Sequence, residues 1–362
     1  MSLKTKNRIY QVDLFRFIAA LAVVLFHYLF RGYSEGNMSK LNFSEIGDFF
    51  KYGYLGVDLF FIISGFVISL SIKNRSFTNF WISRISRLYP MYWLAVLLTF
   101  IVIILFGAPQ FYADFKQFFL NLSMFQNYIG VENIDGSYWS LFIEMKFYIF
   151  IISFYLILNK LKEIKLDYLI YAWLLLTIVY MFFSNLYFLQ IVNYFFILSW
   201  SSYFIAGIIF YQIYESKLNL KYLILLSISL SISLFHAVSK IENFELFYNT
   251  NFSPLIICSL IVVFYLLMFL VSCGKLNNIN SSKLTKLGLL TYPLYLIHQN
   301  IGFIIFNNLF NYVNKYALVL MTIIFMIFLS YILNNFYEQK VSNYLRTKLK
   351  LMSTQVLQKV NR

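Results

Sequence analysis

The chain has 362 residues, 60% of them hydrophobic and only 12% charged, with a formal net charge of +14. Soluble domains carry about 25% charged residues, so the composition excludes a soluble globular protein and points to a polytopic membrane protein. The basic excess is not a nucleic-acid footprint, because Lys and Arg cluster in short segments between apolar runs, as the positive-inside rule requires of a chain embedded in a lipid bilayer.

Ten apolar runs follow in chain order, at 10–30, 53–72, 89–106, 138–158, 168–184, 190–211, 220–238, 254–273, 287–307 and 316–336. Each is near the ~20 residues that a helix needs to cross ~30 Å of hydrocarbon. The first is too long for a cleavable signal peptide and lacks a small-residue cleavage site, so it is expected to stay as a span. With the N-terminus inside, the outer segments hold only Arg31, Lys40, Lys51, Lys116, Lys240 and Lys315 among the 29 Lys and Arg, and Arg16 and Lys146 fall within spans. The rest lie inside, which places both termini in the cytoplasm. The expected fold is all-α, with about ten transmembrane helices over 1–340 and a short basic cytoplasmic tail over 341–362. Cys258 and Cys273 show no metal-ligand spacing and read as free thiols.

The first run, VDLFRFIAALAVVLFHY, carries Asp13, Arg16 and His27. Ionisable groups at such depth are costly unless paired or set on a wet cavity. Arg16 and His27 are 11 residues apart, which puts them within about 20° of one face and ~16 Å apart along the axis. Asp13, three residues before Arg16, is placed to pair with it. The plainer alternative is an interfacial Asp–Arg pair and an unrelated histidine.

The second run brings Asp58 at its outer end and Ser64-Gly65 at mid-depth, where small residues also serve close packing. In KNRSFTNFWISRISRLYPMYW, Arg84 and Arg87 share a face if the segment is helical. Pro90 suits the first turn of the third span, which would leave Tyr89 outside the helix. These arginines are either ordinary inside charge or an anion site, since guanidinium forks suit phosphate. In YWSLFIEMKFY, Glu144 lies below Ser140 on one face, while Lys146 points the other way. LGLLTYPLYLIHQN puts His298 near mid-membrane, with Pro293 offering a kink. His27, Asp58, Glu144 and His298, on four helices, are expected to gather around a cavity.

A phosphate-binding candidate inside, a base candidate toward the outside and polar groups between them suit transfer of an activated group from a phosphorylated carrier to an outer acceptor. Imidazole can take a hydroxyl proton near pH 7, with a carboxylate holding its tautomer. A transporter or exporter of a glycan or related small molecule is the alternative from another class, and a structural membrane component is a third.

The ordered set RFIAALAVVLFH, GYLGVDLFFIISGF, WISRISRLYP, WSLFIEMKFY, SYFIAGIIFY and LTYPLYLIH resembles the acyltransferase-3 family, the bacterial membrane acyltransferases that O-acetylate lipopolysaccharide O-antigen, exopolysaccharide and related glycans. The resemblance runs from near residue 10 to about 336. It implies an acyl-CoA donor, most simply acetyl-CoA used as a co-substrate with no resident cofactor or metal, and a glycan or glycolipid acceptor at a bacterial inner membrane. It further implies His27 as the essential histidine and Arg16, Arg84 and Arg87 as important basic positions. On this reading Glu144 orients His27 or the acceptor, and Asp13, Asp58, Ser64, Ser140 and His298 line the cavity.

Overall fold

The computed structural model describes residues 8–36, 38–72, 76–160 and 166–360. The expected inside charges Lys4, Lys6, Lys73, Arg75, Lys162, Lys165 and Arg362 lie outside the described residues. Among the described residues all regular structure is helical, which satisfies every backbone group within its own segment, as hydrocarbon requires. The principal helices are α1 (Tyr10–Phe26), α2 (Gly56–Ile72), α3 (Phe77–Phe106), α4 (Trp139–Lys160), α5 (Leu166–Phe183), α6 (Tyr187–Phe196), α7 (Leu198–Ser216), α8 (Leu220–Ser239), α9 (Pro254–Ser272), α10 (Lys283–Ile297), α11 (Gln299–Leu309), α12 (Lys315–Leu333) and α13 (Gln339–Val360).

Side-chain caps set several of the boundaries. Ser76 accepts from the Asn79 amide at the start of α3, Asn219 from Tyr222 at α8, and Ser253 from Ile256 at α9, where Pro254 takes the first helical position. Eight helical segments among the described residues are long and apolar enough to cross a membrane unbroken. Two further spans are bent pairs, α6 with α7 at 40° and α10 with α11 at 63°. The molecule is a multi-pass membrane protein.

Two sequence expectations fail. The third span does not begin at Pro90: α3 starts at Phe77 and carries Pro90 in its interior. Ser76 caps its first turn, and Tyr89, expected outside the helix, is helical. Nor does Pro293 mark the kink of the ninth span. The bend falls at His298, and its backbone is held by side chains from elsewhere in the chain. The basic tail continues the last span as helix α13, packed along α3, with Arg346 Nε 3.4 Å from Ser86 Oγ.

The centre of the bundle is α1 against α2 and α10, with α2 packed on α7. The last contact is backbone-close. A Cβ on Gly65 would run into the Phe204 carbonyl, and one on Gly207 into the Ile62 carbonyl, so Gly65 serves packing. α5, α9 and α12 are peripheral and present apolar side chains such as Leu175, Leu255 and Ile324 outward, as lipid-facing helices do.

Candidate active site

α1 ends in a π turn, His27–Arg31, closed by the Gly32 amide on the His27 carbonyl. Such turns recur at functional sites because they re-aim side chains within a helix. Here the turn presents His27 and Arg31 to one cavity. His27 is buried and hydrogen-bonded through Nδ1 to Nε2 of the fully buried His298, at 2.8 Å. His298 Nδ1 lies 2.8 Å from the Tyr295 carbonyl and 3.2 Å from that of Leu294. A carbonyl only accepts, so Nδ1 of His298 holds the hydrogen and Nε2 is its acceptor. His27 Nδ1 therefore donates, and Nε2 of His27 is the lone-pair nitrogen. Arg31 Nη1 stands 3.1 Å from that Nε2. The Arg31 guanidinium is itself held by both carboxylate oxygens of Glu35.

His27 opens into a cavity of about 340 Å³ together with Arg31, Asp58, Trp139, Trp200 and Lys240. Asp58, Tyr203 and Lys240 share this wall, and Lys240 Nζ lies 4.5 Å from the Trp200 ring centre. A second, narrower cavity of about 90 Å³ is lined by Arg16, Arg87, Ser140, Glu144, Tyr148 and Tyr292. Val57 and Tyr295 line both, so the two adjoin. Along α1, Arg16 in the narrow cavity and His27 in the wide one are ~16 Å apart.

The structure regroups several candidates. Asp13 does not pair with Arg16. Arg8, in the extended chain before the helix, folds back over the first turn and bonds Asp13 at 2.6 and 3.2 Å, while Arg16 is free to turn toward the narrow cavity. Glu144 sits with the arginines rather than with His27. One of its oxygens accepts from Ser64 at 2.7 Å and Tyr148 at 2.5 Å. His298, not a carboxylate, fixes the His27 tautomer, and it stands behind His27 instead of lining the cavity. Arg87 opens to the narrow cavity, whereas Arg84 is buried with its guanidinium 5.8 Å from the Phe80 ring and 5.9 Å from that of Tyr148. Ser140 faces the narrow cavity and is bonded to the Tyr295 hydroxyl at 2.7 Å.

Arg31 and Lys240, which sequence reading treats as loop charges, belong to the wide cavity. Arg31 had a local signal, since it lies one helical turn after His27. Lys240 and Tyr295 reach the site only through tertiary packing, for which a single sequence holds no signal.

A family model described as an acyltransferase domain, that of acyltransferase-3, matches residues 9–338. The chain is 30% identical over 169 residues to the peptidoglycan O-acetyltransferase OatA of Listeria monocytogenes, a match covering 41% of this chain and 24% of that protein. It is also 30% identical over 158 residues to the putative peptidoglycan O-acetyltransferase YrhL of Bacillus subtilis, covering 38% of this chain and 22% of that one. The matched stretch is thus less than a quarter of the length of either relative. No solved structure matches the chain. With nearly its whole length matched by the family model, the chain belongs to the acyltransferase-3 family.

Proposed function

We propose that the chain is a membrane-bound O-acyltransferase of a bacterial inner membrane, with its catalytic domain over 1–340. It moves an acyl group, acetyl in the simplest case, from cytoplasmic acyl-CoA to a hydroxyl of a cell-surface or secreted glycan. The observation that carries this reading is the His27–His298 pair, which leaves the lone pair of His27 Nε2, met by Arg31, at a wide cavity adjoining a narrow one lined with arginine. The positive-inside pattern turns the Arg16 end to the cytoplasm and the His27 end outward. Arg16 and Arg87 then meet the donor phosphates, and the thioester reaches outward past Tyr295 toward His27.

In the wide cavity the acceptor hydroxyl replaces Arg31 on His27 Nε2. Nε2 takes the hydroxyl proton as the oxygen attacks the thioester carbonyl. The C–O bond forms, the C–S bond breaks, and the departing thiolate takes the proton from His27 Nε2, which leaves free CoA thiol and a neutral imidazole. Arg31, displaced from Nε2 but still held by Glu35, is placed to donate to the oxyanion of the tetrahedral intermediate. The named relatives make peptidoglycan one acceptor to test beside O-antigen and exopolysaccharide.

The test is transfer from labelled acetyl-CoA in inside-out membrane vesicles, followed by mass spectrometry of the glycans with and without the gene. A base-labile acetyl ester on a glycan, absent without the gene, is expected. Glycan movement across the membrane with no donor consumed would overturn the reading in favour of an exporter.

A further inference from the structure

The bend at His298 is held from both sides by residues that the reaction above does not use. On one side, Tyr28, the neighbour of His27, donates its hydroxyl to the His298 carbonyl at 2.6 Å. α1 therefore grips this bend twice in succession, ring to ring through His27 and hydroxyl to carbonyl through Tyr28. On the other side, Asp135, fully buried in the segment before α4, accepts the amide of Asn300 through Oδ2 at 2.9 Å. That amide lies in the first turn of α11 and has no partner within its helix. The other Asp135 oxygen accepts the amide and hydroxyl of Ser137 at 2.9 and 2.7 Å, and Asn300 Nδ2 returns to the Ile134 carbonyl at 2.9 Å.

We propose that Asp135 and Tyr28 are positioning residues that clasp the two sides of the His298 bend and so keep His298 as the acceptor of the His27 hydrogen. This rests on the reading of His27 as base. All three bonds to Asp135 are acceptances. An asparagine there offers one acceptor oxygen and turns an N–H toward a donor, so Asp135→Asn releases one side of the clasp while preserving volume. Tyr28→Phe releases the other side and keeps the ring packed between Phe303 and Phe306.

The chain has three histidines, so the protein labelled with ¹⁵N-histidine in lipid gives ring signals that can be assigned by comparison with His236→Gln. The wild type is expected to show both His27 and His298 carrying hydrogen on Nδ1. In Asp135→Asn the His298 ring should become a tautomer mixture and kcat should fall roughly 10- to 150-fold, the loss expected of a hydrogen bond to a charged group, with KM for acetyl-CoA unchanged. Tyr28→Phe should move both readouts the same way by roughly 3- to 10-fold in kcat. It also carries the test if Asp135→Asn does not accumulate in the membrane. Lost activity with the His298 tautomer unmoved in either variant would overturn the proposal in favour of a merely structural role, and so would unchanged kcat. Full transfer by His27→Ala would instead remove the reading on which the proposal rests.

Discussion

The two cavities that meet at Tyr295 are built from opposite materials. In the wide one each charge has a nearby counter-charge, Arg31 with Glu35 and Lys240 with Asp58, and the remaining wall is largely aromatic. Among the residues lining the narrow one, two guanidinium groups face the single carboxylate of Glu144, which already accepts from Ser64 and Tyr148. A locally neutral, aromatic-walled chamber suits an uncharged hydroxyl-bearing partner, since rings offer flat apolar faces with polar edges. A chamber with surplus positive charge suits an anion. The difference separates two kinds of loss: damage to the wide cavity should appear in kcat, and damage to the narrow one in donor binding.

The sharpest test is His27→Ala. Removing a general base costs about 10²–10⁴-fold in rate, so transfer should nearly vanish while membrane insertion and KM for acetyl-CoA stay near the wild-type values. Steady-state kinetics in vesicles reads both. Wild-type transfer by a well-inserted variant would end the assignment of the wide cavity as the place of chemistry.

Arg87→Ala tests the other chamber. A charge-assisted hydrogen bond is worth ~1.5–3 kcal/mol, so KM for acetyl-CoA should rise roughly 10- to 150-fold, with kcat largely recovered at excess donor. Arg87→Lys keeps the charge and loses the fork, so its KM should fall between the two. If Arg87→Ala lowers kcat and leaves KM alone, the division of labour between the cavities fails.

These two sites differ in how far the sequence shows them. The fold is legible because bilayer thickness imposes a length on each apolar run, and His27 with Arg16 is legible because both lie on one continuous helix with fixed rise and rotation. Contacts between helices are not written that way. Depth alone put Glu144 with His27, and the packing of α2 and α4 instead joined it to Ser64 at the level of the arginines. The Asp13–Arg16 pair looked natural from spacing, but Arg8 outcompeted it from the chain before the helix, where side-chain reach depends on the extended backbone. The ninth span does not kink at Pro293; it bends five residues later, at His298, where bonds from Tyr28 and Asp135 reach it from distant segments that a single sequence does not bring together.

Tyr295 is the wall between the chambers, and its hydroxyl is bonded to Ser140 Oγ at 2.7 Å and lies 3.2 Å from the Ser137 carbonyl. Tyr295→Phe keeps the ring and removes those bonds. A net hydrogen bond is worth ~0.5–1.5 kcal/mol, so transfer should slow by roughly 2- to 10-fold. Hydrolysis of acetyl-CoA without transfer, measured as free thiol in excess of acetyl transferred, should rise as the wall loosens. A variant with transfer and hydrolysis both at wild-type levels would show that the hydroxyl has no part in separating the cavities.

The smallest expected effect on activity belongs to Lys146, and it tests whether a buried charge in a span is functional merely by being there. Lys146 lies two residues from Glu144, which turns it about 200° away on the helix. Its ammonium donates to the Tyr194 carbonyl at 2.8 Å and sits 3.7 Å from the Tyr194 ring centre and 4.2 Å from that of Phe142. It ties α4 to α6 and lines neither cavity. Lys146→Met should therefore leave kcat and donor KM unchanged while lowering thermal stability, since a partly desolvated cation–π contact is worth about 0.5–2 kcal/mol and the charged hydrogen bond adds to it. Glu144→Gln, in the same helix, should lower transfer because it removes the single carboxylate charge set against Arg16 and Arg87 beside the donor path, while its remaining oxygen can still accept from Ser64 and Tyr148. Thermal unfolding in detergent and vesicle kinetics, run on both variants, separate the two. Equal kinetic losses would mean that facing within α4 does not decide function, and the contrast between the cavities and the rest of the bundle would have to be redrawn.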